Sequence, residues 1–164
     1  MRDEHEAGRV ATLKVVVSAR NQAYAFDCEP GEKILHAGLR SGIALAYECG
    51  TGTCGTCKAK LVRGDVRNDW PEAPGQSSLR RDAAEFLMCQ CVPSADCALE
   101  IASVVKAMEP GGCVPTGVGA RIQRTAVLTH DVASLDLELA RPLDFEAGQF
   151  MLMSVAGIAG ARAY

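Results

Sequence analysis

Apolar and polar positions first fall into a two-residue period. Residues 12–18 (TLKVVVS) are rich in β-branched side chains, and residues 23–27 alternate again with Tyr24 and Phe26 on one face, which predicts a β-hairpin. Pro30-Gly31 turns the chain, and residues 32–41 set Ile34, Leu35 and Leu39 on one helical stripe that Gly42 caps. Residues 47–57 (YECGTGTCGTC) follow neither period and read as an irregular loop. Strand character returns at 58–62, Gly64-Asp65 turns, residues 77–86 predict a short polar helix, and 87–92 and 99–104 predict two further strands. This order suits a small mixed sheet grasping one helix.

Composition then shifts. Residues 106–119 (KAMEPGGCVPTGVG) are rich in glycine and proline and read as a linker. Three strand-like runs follow at 120–128, 134–139 and 149–155 with no helix between them, so a second, β-rich domain begins there. Residues 1–11 alternate in charge and read as a disordered lead-in, which leaves 12–105 as the first domain and 120–164 as the second.

With 164 residues, 48% of them hydrophobic, the chain can bury one good core and the beginning of another. A net charge of −3 offers no basic field for nucleic acid or an anionic membrane surface. No run reaches the roughly 18 apolar residues of a transmembrane helix, and the N-terminus lacks the apolar stretch of a secretory signal. A soluble, cytoplasmic protein is the expectation. In a reducing compartment, eight cysteines point to metal or cluster ligation and away from disulfides.

The spacing Cys49-x4-Cys54-x2-Cys57 followed by a distant cysteine is the plant-type [2Fe–2S] arrangement, four thiolates holding two irons and two sulfides. A loop that wraps such a cluster needs positive φ and close backbone approach, which Gly50, Gly52 and Gly55 supply. Its N–H groups would tune the potential. Cys89, Cys91, Cys97 and Cys113 compete for the fourth position; Cys89 is preferred because it ends the apolar run Phe86-Leu87-Met88, although spacing leaves Cys91 open. Zinc prefers two paired knuckles, and a Rieske centre needs two histidine ligands; neither pattern is present. Cys28, Cys97 and Cys113 read as small buried hydrophobes, and Trp70 as a packing anchor for the loop around it.

The words YECGTGTCGTCKAKLVRGDV at 47–66, DWPEAPG at 69–75 and FLMCQCVPSAD at 86–96 resemble the reductase components of bacterial multicomponent monooxygenases of the toluene, phenol and alkene type. In that family the first cysteine of the CQC word is the ligand, which implies Cys89. The resemblance implies an α+β fold, a β-grasp [2Fe–2S] ferredoxin-like domain followed by the beginning of a ferredoxin-reductase-type β-barrel that binds FAD. Residues 145–150 (FEAGQF) match that barrel, and the terminal word Arg162-Ala163-Tyr164 matches one whose arginine contacts FAD phosphate and whose tyrosine lies against the flavin.

On this resemblance the chain is a fragment of an NADH:acceptor oxidoreductase, an electron-transfer module lacking the NAD-binding domain and not expected to bind FAD alone. In the intact protein, electrons would pass from NADH to FAD, singly to the cluster, and on to a hydroxylase component or an intermediate redox protein. The expected potential is about −400 mV. A stand-alone ferredoxin carrier would not need the β-rich segment after Gly119, and the iron–sulfur domain of another oxidoreductase complex would lack the terminal RAY word. A zinc-stabilised binding module is the non-redox rival. Glu48, Asp65 and Asp69 flank the loop and its following strand, and are candidates to orient a basic partner patch.

Overall fold

The computed structural model describes residues 11–108 and 114–164. Most of the expected lead-in at 1–11, the centre of the expected linker and Cys113 lie outside the described residues. The chain divides into two compact units, residues 1–114 together with 151–164, and residues 115–150.

In the first unit, β1 (Leu13–Ser18) and β2 (Ala23–Cys28) form the hairpin, with Val15 opposite Phe26 and Val17 opposite Tyr24. Val15, Val17 and Phe26 point into the core, as the two-residue alternation requires. The helix α1 (Ile34–Arg40) is shorter than its apolar stripe suggests and buries Ile34, Leu35, Ala37, Gly38 and Leu39. Gly42 ends it at φ +74°, donating its N–H to the Leu39 carbonyl at 2.9 Å.

The strand β3 (Lys58–Arg63) leaves the cysteine loop, β4 (Val66–Asn68) follows, and β5 (Glu85–Leu87), β6 (Cys91–Pro93) and β7 (Cys97–Glu100) complete the unit's principal strands. The main sheet is five-stranded in the order β2-β1-β7-β3-β5. Its β1 and β7 run parallel while its other neighbours are antiparallel, so the sheet is mixed. A separate pair, β4 with β6, lies beside it. Side chains from the main sheet and α1 make one core that includes Ile34, Leu35, Leu87, Met88 and Leu99.

Two expectations are corrected here. Residues 77–86 are not one helix: two 3-10 turns, Pro74–Ser78 and Arg81–Ala83, are followed by β5. Ala84 takes φ +52° between the second turn and the strand, a left-handed value that breaks helical continuity. Residues 87–92 are not one strand either, because the chain turns at 88–90, where the Met88 N–H reaches the Cys57 carbonyl and the Gln90 N–H the Leu87 carbonyl, each at 3.0 Å.

The second unit contains the antiparallel ribbon β8 (Ala120–Val127) and β9 (Ala133–Leu139). Within its described residues it is a two-stranded ribbon and not a closed barrel. It leaves Ile122, Val127 and Leu135 exposed. Residues 151–164, part of the first unit, contain the short pair β10 (Leu152–Met153) and β11 (Arg162–Ala163), and β10 is all that forms of the strand expected over 149–155. No helix among the described residues is long and apolar enough to cross a membrane.

Candidate metal centre

Three of the four expected ligands sit on the loop between α1 and β3, and the fourth on the turn between β5 and β6. The antiparallel pairing of Lys58 with Leu87 sets the chain just before β3 beside the chain just after β5. The Cys57 and Cys89 thiols are consequently near enough to act on each other's acidity. Cys49 and Cys54 are joined through the backbone, the Cys54 N–H donating to Cys49 Sγ. Cys57 and Cys89 are each 2% exposed, Cys49 is half-buried and Cys54 is exposed.

Backbone donors converge on the loop sulfurs. The N–H groups of Thr51, Thr53 and Cys54 each donate to Cys49 Sγ at 3.4 Å, and the Thr56 N–H donates to Cys54 Sγ at the same distance. Gly50, Gly52 and Gly55 adopt φ of +63°, +85° and +79°. All three sites are crowded as well: a Cβ on Gly55 would stand 2.2 Å from Ser78 Oγ, one on Gly50 2.8 Å from Leu152 Cδ1 and one on Gly52 3.0 Å from the Gln90 side chain.

The same donors act on acidity. Burial works to raise the Cys49 thiol, but hydrogen bonds involving Thr51 and Cys54 outweigh it and bring it down to about 6. In the other pair, hydrogen bonding holds Cys89 low and Cys57 high. Burial pushes Cys91 and Cys28 up to about 12 and Cys97 up to about 11, so these three stay protonated thiols. Cys28 and Cys97 are core residues, as their sequence context suggests. Cys91 starts β6 fully buried and separated from Cys89 by the turn, so the regular strand that would have put both on one face does not form.

Among the described residues, no group of three or more Cys, His, Asp or Glu side chains is placed to hold a metal ion. Four thiols, three on one loop and the fourth brought to it by the pairing of β3 with β5, match in number the thiolates that two sulfide-bridged irons require.

Sequence reasoning missed three supporting residues. Gln90 is 3% exposed and donates its Nε2 to Cys89 Sγ at 3.4 Å. Its signal was a lone amide inside the apolar run FLMCQCV. Gly75 donates its N–H to the Gly52 carbonyl at 2.8 Å, pinning the first 3-10 turn to the loop, and Ser78 packs on Gly55. Trp70 packs, partly buried, against the core. Asp69 is not a free docking charge. Its carboxylate takes Lys33 and Arg67, and the Arg67 hydrogen bond is the main force holding it below the usual carboxylate range. Glu48 and Asp65 are exposed.

The Gln90 contact gives a measurable expectation. Gln90→Leu removes a donor from the sulfur of Cys89, an expected ligand, and so disfavours the more negative, reduced state. The midpoint potential is expected to fall by tens of millivolts, a several-fold change on the one-electron scale of about 59 mV per tenfold. Spectroelectrochemical titration checks the shift.

Residues 18–94 match the family model of the 2Fe-2S iron-sulfur cluster binding domain. More particularly, the chain is related to reductase components of bacterial oxygenase systems. It is 37% identical over 145 residues to the ferredoxin--NAD(+) reductase component of the alkene monooxygenase system of Xanthobacter autotrophicus, a match covering 88% of this chain and 43% of the relative. It is 32% identical over 148 residues to the electron transfer component of the xylene/toluene monooxygenase of Pseudomonas putida, covering 90% and 41%. Among solved structures, the ferredoxin reductase in carbazole 1,9a-dioxygenase, in its FAD apo form, superposes with a TM-score of 0.73 at 32% identity, covering 94% of this chain and 47% of that one. The chain thus spans less than half the length of the curated relatives described.

Proposed function

We propose that Cys49, Cys54, Cys57 and Cys89 hold a [2Fe–2S] cluster and that the chain passes single electrons through it. The convergence of backbone N–H groups on Cys49 and Cys54, in a loop that the β3–β5 pairing sets beside the turn bearing Cys89, carries this reading. When bound, the cluster accepts and releases one electron at a time. The chain's part is to hold it and tune it. The loop glycines let the backbone close around the sulfurs, Gln90 and the threonine N–H groups stabilise negative charge on them, and the buried Cys57–Cys89 side keeps water away.

The wider reading places this chain in an NADH-dependent flavin and iron–sulfur reductase that feeds an oxygenase component in the cytoplasm, where thiols stay reduced. In it, residues 12–105 are a β-grasp domain, 106–119 a linker and 120–164 the opening of an FAD-binding barrel. The exposed apolar side chains of β8 and β9 suit packing within a larger β-structure. Arg162 and Tyr164 stand at alternate positions of one extended segment and so share a face, from which a guanidinium can meet phosphate and a phenol the flavin ring.

The test is to purify the chain anaerobically and to measure its visible spectrum, iron, sulfide and flavin content, and the low-temperature EPR signal after dithionite reduction. Two irons and two sulfides per chain with a reduced [2Fe–2S] signal are the expected result. A colourless protein with stoichiometric zinc overturns it.

A further inference from the structure

The β10–β11 pair is seated on the rest of its unit at two points. At the first, Leu152 lies so close to Gly50 that a Cβ there would stand 2.8 Å from the leucine Cδ1. Gly50 is buried and directly follows Cys49. At the second, Gly160 lies against the Trp70 ring, where a Cβ would come within 2.4 Å of Cζ3. The Arg162 guanidinium sits over the same indole, 5.9 Å from its centroid, and Ala161 between the two residues is buried. Trp70 is itself fixed, its N–H donating to Asn68 Oδ1 at 3.0 Å and its carbonyl receiving the Ala73 N–H at 3.1 Å. Neither sheet pairing nor cysteine ligation calls for a leucine on the cysteine loop or a glycine flush against an indole.

We propose that residues 151–164 form a clasp over the Cys49 side of the cysteine loop, in which Trp70 is a positioning residue that seats the clasp through Gly160 and Arg162, and Leu152 is the side chain that keeps water from the loop. This rests on the cluster reading above. Reduction adds negative charge to the cluster, and water near its sulfurs stabilises that charge, so an apolar cover holds the potential down. The clasp also carries Arg162 and Tyr164, so the segment that shields the loop is the one that bears the flavin-type word. Trp70 thereby links the conformation of that word to the exposure of the iron–sulfur site.

The chain has one tryptophan, so its fluorescence reports Trp70 alone. The experiment compares the cluster-loaded chain with Leu152→Ala, Gly160→Val, Trp70→Ala and Trp70→Phe, reading the midpoint potential, the reduced EPR signal and, where tryptophan is kept, quenching by acrylamide. Leu152→Ala, Gly160→Val and Trp70→Ala are expected to raise the potential, increasing the reduced-to-oxidised ratio several-fold at a fixed applied potential, with iron content and EPR signal retained. Gly160→Val is also expected to make Trp70 several-fold more quenchable, and Trp70→Phe, which keeps a ring for Gly160 and Arg162, to stay at the wild-type potential. Unchanged potentials in Leu152→Ala and Gly160→Val overturn the proposal, and Leu152→Ala decides alone if the valine variant does not fold. A wild-type chain with no cluster signal sinks the cluster reading itself; the quenching of Gly160→Val then decides whether the clasp is seated as proposed, and no change in it overturns the clasp.

Discussion

A Cys89→Ala chain is expected to emerge colourless or nearly so, with iron and sulfide falling from two each per chain to a small fraction of that, while Cys91→Ala keeps its colour and its EPR signal. The two cysteines are separated by one residue yet occupy different environments. Cys89 lies on the turn that the β3–β5 pairing sets beside Cys57, and its sulfur receives Gln90 Nε2. Cys91 is sealed in the core with its thiol pushed up to about 12 by burial. Alanine at 91 removes one buried sulfur and leaves a small cavity, at a cost of about 1 kcal/mol. Alanine at 89 leaves one iron with a single protein thiolate. Iron and acid-labile sulfide assays on both variants check the contrast, and a Cys91→Ala chain that loses its cluster while Cys89→Ala keeps it would reverse the assignment.

Gly64→Ala is expected to be the most damaging single-methyl change in the sheet. Gly64 turns the chain out of β3 at φ +90°, and a Cβ there would stand 2.3 Å from the Asp96 carbonyl oxygen and 2.8 Å from Cys97 Cα. Both obstacles lie on the backbone entering β7, so no rotamer change relieves them. Left-handed strain at a non-glycine residue costs about 1–3 kcal/mol, and overpacking adds a similar amount. A loss of about 3 kcal/mol corresponds to a fall in Tm on the order of 12–24 °C for a domain of this size. Calorimetry on the cluster-loaded chain checks it. Gly31→Ala is the control, since its φ is also positive, at +79°, but nothing lies within 4 Å of the added Cβ; it should lose only the left-handed cost.

The cysteine spacing and the hairpin were legible because each depends on short-range pattern. Three cysteines at fixed intervals with interspersed glycines leave few alternatives for the loop, and the alternation over Val15, Val17 and Phe26 is the alternation of buried positions. Residues 77–86 were misread for a definite reason. Their polar, alanine-bearing composition favours a helix locally, but Gly75 is tied to Gly52 across the fold, and Glu85 is needed both opposite Lys60 in the sheet and as the partner of Arg80. Such long-range ties leave no mark on local propensity. Trp70 was legible as an anchor, whereas its contacts with Gly160 and Arg162 join residues some ninety positions apart and could not be read from either segment.

The place of β7 bears on the order in which this protein can assemble. Val15, near the start of the described chain, pairs in parallel with Cys97, and β7 lies between β1 and β3 in the sheet. Closing so long a loop is slow, since chain entropy must be overcome before the contact is formed. During synthesis the N-terminal hairpin, α1, the cysteine loop and even Cys89 leave the ribosome before the strand that joins the two halves of the sheet exists. A nascent chain halted before residue 97 would display all four proposed ligand thiols while lacking the strand that joins the two halves of the sheet, so the proposed metal centre could be completed only once β7 is in place.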